Sequence, residues 1–274
     1  MAKYASEPEE LKNLIITQVK QIGPDNLRYA LQSPESDNSY HLIVRMEPST
    51  SRSLPTKTIA SPGAFKLLWN QHLKNRVTDT EYYYDIFQQG GSVTASAAGW
   101  IFEFRMHQLL TQGYHINLFP LRNPNNGTKN YIYSDYGDSH AKRNEMKLRL
   151  PASSEFPLAK GIELQVGCYY RLEAKKFPTI DALLLIRLDR PFKNPLPILL
   201  MFQITRNRSG HDVTAAGLDM IDTLTLPPNT RRYYVAVTPF NIEPPIQVPK
   251  GRFKGVYAFH HPVPQSTLFP RSTN

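Results

Sequence analysis

Two unbroken apolar runs sit close together in the second half of the chain, ALLLI at 182–186 and ILLMF at 198–202. A strand covered on one face alternates apolar with polar residues. A strand covered on both faces reads as a continuous apolar run. Neither run approaches the roughly 20 residues a membrane-crossing helix needs. They therefore predict two central strands of one sheet, joined through the polar, proline-containing LDRPFKNPLP, with a layer packed on each face. Helical patterns before and after these strands suggest an α/β or α+β layered domain, with helices on the faces of a mixed central sheet. Two residues disturb the pattern. Asp181 opens the first run and Gln203 ends the second, and hairpin pairing sets them side by side. A buried, unpaired carboxylate costs several kcal/mol, so Asp181 needs a partner.

The rest of the chain divides around this core. Residues 1–91 form an N-terminal accessory α/β region. In it, PEELKNLIITQVK predicts a short helix, NSYHLIVRMEPS a strand, and SPGAFKLLWNQHLKN a helix capped by Ser61 with Pro62 in its first turn. TEYYYDIFQQ continues as helix; its Tyr82, Tyr83 and Tyr84 either stack on bases or, as is commoner for helical tyrosines, pack in a core. Residues 92–240 hold the core. Ala98, Ile101, Phe102, Met106, Leu109 and Leu110 recur at helical spacing, and Gly113 closes that helix. YHINLFPL, IELQVGCYYRL, IDALLLIRL, ILLMFQIT and RRYYVAVTPF read as strands, HDVTAAGLDMIDTL as a helix, and HAKRNEMKLRL is ambiguous. Residues 241–274, rich in proline and aromatics, read as a tail wrapping the surface.

Cys168 is the sole cysteine, which excludes an intrachain disulfide and a cysteine zinc site and fits an intracellular, reducing compartment. The N-terminus lacks a secretory apolar core, so neither a signal peptide nor a membrane partner is expected. A net charge of +9 favours a polyanionic partner.

The chemistry-bearing side chains gather near the two apolar runs. Glu103 lies on the helix WIFEF, His107 follows it one turn on, Thr205 shares the face of Gln203, Lys175 and Lys176 precede Asp181, and His211 opens the next helix. One reading brings Asp181 and Glu103 together around Mg²⁺, which uses one or two carboxylates and takes its other oxygens from water and phosphate. The competing reading has Asp181 capping or pairing locally with Lys175 or Arg187, and Glu103 on a solvated helix edge. His107 reads as a polar contact of its helix, His211 equally as cap or functional group.

AGWIFEFRMHQLL, FPTIDALLL and LMFQITRNRSGH followed by AAGLDMI together resemble the restriction-endonuclease-like domain of Crinkler-type proteins of fungi and oomycetes, over roughly residues 92–240. The resemblance implies a PD-(D/E)xK nuclease core that hydrolyses phosphodiester bonds, in DNA, with Mg²⁺ or Mn²⁺. Asp181 then takes the place of the motif aspartate, Gln203-Ile204-Thr205 that of (D/E)-x-K, and Glu103 that of the acidic residue on the first core helix, with Asp181, Glu103 and Gln203 as metal ligands. Lys175, Lys176 or His211 would stand in for the missing lysine. Lys176, Arg206, Arg208 and Arg231 would contact nucleic-acid phosphates. The neutral Gln203 and the non-basic Thr205 depart from the motif. They keep an alternative open: a catalytically impaired module that grips nucleic acid or a host protein as an effector, with the nucleus, or a host nucleus, as its place of action. A homodimer stays equally open.

Overall fold

The computed structural model describes residues 8–32, 43–47, 56–89, 94–122, 132–133, 146–157, 163–172, 180–187, 196–206, 214–240, 242 and 256–270. The chain separates into two compact units, Met1–Arg105 with Phe269–Asn274, and Met106–Leu268.

The first unit is mainly helical. Its first helix, α1 (Pro8–Gln32), runs well past the predicted segment but is two helices in one, because Gly23 interrupts it at φ 58°. That backbone conformation is natural for glycine and costly for any side chain. A short antiparallel hairpin follows, β1 (Val44–Glu47) against β2 (Thr56–Ile59). Helix α2 (Pro62–Leu68) starts as its sequence predicts: the Ser61 hydroxyl oxygen accepts the Ala64 N–H at 3.1 Å. It continues through a π-helical turn over Trp69–Leu73, and α3 (Val77–Gln89) comes next. Phe104 packs 5.4 Å from both Phe65 and Trp69, and Trp100 lies 5.8 Å from Phe65. Tyr83 and Tyr84 are buried, while Tyr82 lies under the Arg28 guanidinium at 4.1 Å. The tyrosines are thus packing elements, and the boundary of the unit falls inside α4 (Ala95–Thr111).

The second unit is built on a nine-stranded sheet. Its strands are β3 (His115–Arg122), β4 (Ile132–Tyr133), β5 (Met146–Arg149), β6 (Glu155–Pro157), β7 (Tyr169–Arg171), β8 (Ala182–Arg187), β9 (Pro197–Ile204), β10 (Arg231–Pro239) and β11 (Val256–Val263). Their order is β4-β3-β11-β10-β9-β8-β7-β6, with β5 added on β3. Strands β7, β8 and β9 form an antiparallel meander. After β9 the chain passes through α5 (Ala215–Asp222), capped by the Thr214 hydroxyl, and returns as β10 parallel to β9. The helix covers one face of the sheet, where Leu218 and Ile221 pack with Leu183, Leu185, Leu199, Met201, Tyr234 and Ala236. Leu184, Leu200, Phe202 and Val235, on the alternate positions, are also fully enclosed. The unbroken apolar runs therefore are what a two-sided burial requires, and the α/β class with a mixed sheet is the observed one. Among the described residues no helix is long and apolar enough to cross a membrane.

Three expectations give way. The tail does not simply wrap the surface: Val256–Val263 enters the sheet between β10 and β3, parallel to β10. Its two histidines mask the strand pattern in the sequence, yet both are buried. IELQVGCYYRL is not one strand, because Gly167 turns the chain at φ 83° and only Tyr169–Arg171 pairs continuously. The open segment before Arg149 resolves as strand over Met146–Arg149. Gly113 does close α4, at φ 88°, and a Cβ there would press on the Ala152 nitrogen at 3.1 Å.

Candidate functional site

The register of β8 and β9 ends with Ala182 opposite Phe202, so one step further Asp181 comes level with Gln203. The backbone holds Asp181 on both sides: its N–H donates to Phe202 O at 2.8 Å, and its carbonyl accepts the Leu172 N–H at 2.9 Å. Its carboxylate then does what the strand no longer can. Oδ2 accepts the Ile204 N–H at 2.6 Å, prolonging the ladder past the end of β8. A charge-assisted bond of this kind is roughly twice as strong as a neutral one, and it offsets part of the cost of bringing a half-buried carboxylate to the end of an apolar sheet. The local-capping reading of Asp181 is thus realised through a backbone amide. Arg187 lies at the opposite end of β8 and is not its partner.

Gln203 is almost wholly buried, at 3 % exposure, and its Oε1 accepts the hydroxyl hydrogen of Tyr234. Tyr234 lies on β10, opposite Met201, and is completely enclosed. Burial first, and the negative charge of Asp181 second, push its pKa well above the ordinary phenol range, so it stays protonated and donating. Residue alternation puts Asp181, Gln203 and Tyr234 on the α5 side of the sheet.

The row continues across the sheet. Gln203 is level with Ala236, and Ala236 with His260 on β11. By strand spacing His260 stands roughly 10 Å from Gln203. The Thr238 hydroxyl contacts His260 Nε2 at 2.8 Å and also Ile242 O at 2.8 Å. Burial, and then the neighbouring His261, lower the pKa of His260 to about 3; burial lowers that of His261 to about 4, against the Asn117 carbonyl that faces its Nδ1 at 3.1 Å. Both imidazoles are neutral at physiological pH. One end of the sheet thus collects buried polar groups across four strands.

The other expected residues fall as follows. Thr205 is buried just past β9, its N–H donating to Val237 O at 3.0 Å, and Arg206 after it is half-buried. Glu103 is half-buried on the first part of α4 and belongs to the first unit. His107 is buried, with Nδ1 2.6 Å from the Tyr169 hydroxyl. Tyr169 neighbours Phe202, which alternates with Gln203, so His107 sits on the other face from Tyr234 and the polar row. Arg231 pairs with Ile198 at the start of β10, five residues and about 16 Å along the strand from the level of Gln203. Lys175, Lys176, Arg208 and His211 lie outside the described residues.

The sequence reading missed Tyr234 and His260. Register alone brings them to the row, and register depends on pairing partners far away in the chain. Among the described residues, no three His, Cys, Asp or Glu side chains gather as a cation cage. The row offers the Asp181 carboxylate and the neutral amide oxygen of Gln203, a donor set of oxygens that does not fit a zinc-type cage. The chain matches no family model, no curated protein and no solved structure.

Proposed function

We propose that this protein acts on nucleic-acid phosphodiester bonds as a metal-dependent nuclease, DNA being the expected substrate. The observation that carries the reading is the carboxylate of Asp181, set at the start of a central strand level with Gln203. It is supported by the elements that surround and follow it: the antiparallel meander β7–β9, then α5, then β10 returning parallel to β9. That order agrees with the restriction-endonuclease-like core implied by the sequence resemblance. In this reading Asp181 is the principal ligand of Mg²⁺ or Mn²⁺. Bound there, the ion would offset charge on the phosphate and lower the pKa of a water. The chain's own residues do the positioning. The Ile204 N–H fixes one oxygen of Asp181, and the Tyr234 hydroxyl fixes the amide of Gln203, so that neither side chain reorganises as substrate arrives. Lys175, Lys176, Arg206, Arg208 and His211 are the phosphate contacts and lysine substitutes of this reading.

The test is plasmid cleavage with Mg²⁺ or Mn²⁺ by the wild type and by Asp181→Asn. The asparagine keeps an oxygen for the Ile204 N–H and removes the charge, so the variant folds but does not cut. Cleavage at the wild-type rate by Asp181→Asn would sink the nuclease reading. A second reading has its own support: the Gln203 oxygen already receives the Tyr234 hydroxyl, and residue 205 carries no cation. It makes the chain a nuclease-like module that binds nucleic acid, or a host protein as an effector, without cutting. Metal-independent binding with no turnover by the wild type selects it.

A further inference from the structure

At the end of β8 away from Asp181, a half-open groove of about 690 Å³ is bordered by Arg149 and Arg187, with Gly113, Gly167, Pro151 and Val166 among its walls. The two arginines come from different strands, β5 and β8, and both are exposed. Their lack of company is unusual in this molecule. Arg76 pairs with Asp79, Arg171 with Glu155 and Arg232 with Asp222. Arg28 lies over the Tyr82 ring and Arg105 over Phe269, and Arg206 and Arg231 are engaged as well. Arg149 and Arg187, by contrast, meet no carboxylate, ring or acceptor among the described residues, and both border the same groove.

We infer that this groove is a docking site for a single strand of nucleic acid, separate from the Asp181 end of the sheet. Guanidiniums match phosphate oxygens in a bidentate way and stay charged at any physiological pH. Gly113 and Gly167 carry no side chain, and a Cβ added at Gly167 would meet only open space, so a strand can approach the backbone there. Pro151 and Val166, the latter 43 % exposed, offer apolar surface to a sugar or base between phosphates. The volume suits one or two nucleotides of a strand and is too small for a duplex cylinder. The net charge of +9 favours the same class of partner. Six residues of β8 separate Arg187 from Asp181, about 20 Å, so the groove would hold a strand at a distance from any chemistry at Asp181. The inference extends the nucleic-acid reading but does not need cleavage.

The experiment is fluorescence anisotropy of a labelled oligodeoxythymidylate titrated with the full chain, in EDTA, over a range of salt concentrations. Arg149→Gln with Arg187→Gln should weaken binding at least roughly tenfold at low salt and flatten the log–log salt slope by about 1.4, the value for two lost single-strand phosphate contacts. Lys20→Gln with Lys66→Gln, an equal charge loss at exposed positions elsewhere, should keep most of the affinity. The inference is overturned by unchanged affinity and slope in the arginine pair, by an equal loss in the lysine pair, or by a wild type that ignores the oligonucleotide. Arginine-dependent binding of phosphatidylserine vesicles or inorganic phosphate without the oligonucleotide overturns it too. Plasmid cleavage is scored separately. Groove binding without cleavage defeats only the nuclease reading, and cleavage with an inert groove defeats only this one.

Discussion

The two ends of β8 handle charge in opposite ways. At the Asp181 end, buried polar groups and the half-buried Asp181 stand in a row and are bonded to one another or to backbone: Asp181 to Ile204 N–H, Gln203 to Tyr234, His260 to Thr238. At the Arg187 end, two guanidiniums stand exposed, without partners among the described residues. A buried polar group left unmatched costs about 1–3 kcal/mol, so the first end must be assembled as a unit and is rigid once assembled. An exposed guanidinium is hydrated and costs nothing to leave open. One end therefore suits groups that must hold a fixed geometry, and the other suits adaptable attachment. Function and stability are entangled at the first end and separable at the second.

The largest effect that would break this contrast is at Asp181. If the carboxylate serves chemistry, Asp181→Asn lowers cleavage roughly a thousandfold, since a metal-bound transition state is worth several kcal/mol. Because the asparagine oxygen still receives Ile204, thermal unfolding should be near that of the wild type. Asp181→Ala loses that acceptor as well, and unfolds about 1–3 kcal/mol more easily. Equal melting of the two variants would deny the carboxylate its part in the ladder.

Acid tests the neutral imidazoles of the same end. His260 and His261 have folded-state values of about 3 and about 4, below the usual 6.5, so the unfolded chain binds more protons across that interval. Their contribution to stability is complete above about pH 6.5 and is lost as pH falls towards 4 for His261 and towards 3 for His260. Denaturant titrations at pH 7 and pH 5 should differ by up to about 2 kcal/mol per imidazole. His261→Gln should reduce that difference; an unchanged pH dependence would mean the ring is not held neutral.

A smaller effect comes from Tyr234→Phe, which strips the Gln203 oxygen of its buried donor and costs about 1–3 kcal/mol in urea unfolding. Adding Gln203→Leu removes the orphan and should return most of that loss without restoring activity. Strictly additive losses in the double variant would show that the two side chains do not depend on each other. The smallest effect belongs to the other end. Arg149→Gln with Arg187→Gln should leave stability within about 0.5 kcal/mol, as exposed substitutions do. A clear drop in melting temperature would make the arginines structural and erase the contrast.

Much of the fold was legible because it rests on local chemistry. Ser61 and Pro62 announce the start of α2, Gly113 the close of α4, and ALLLI and ILLMF the two-sided burial of β8 and β9. Even the neighbourhood of Asp181 and Gln203 could be read, since adjacent antiparallel strands with a short connection leave few registers. β11 could not. YAFHHPV looks like a polar, proline-marked tail until β10 and β3 flank it, and only that burial turns its histidines into core residues. Tyr234 was hidden for a related reason: it is one of two adjacent tyrosines, and which of them turns towards Gln203 is decided by the parallel pairing of β10 with β9.

The amino-acid order alone determined the start of α2, the close of α4, the two-sided burial of β8 and β9, and that a carboxylate would sit at an apolar strand's edge, because these depend on periodicity, caps and solvation a few residues wide. Tertiary structure alone decided that Tyr234 and His260 join that edge, that His107 faces the other way, and that Arg149 and Arg187 border one groove. Those outcomes follow from long-range strand pairing, in which a shift of one residue sends every side chain to the opposite face.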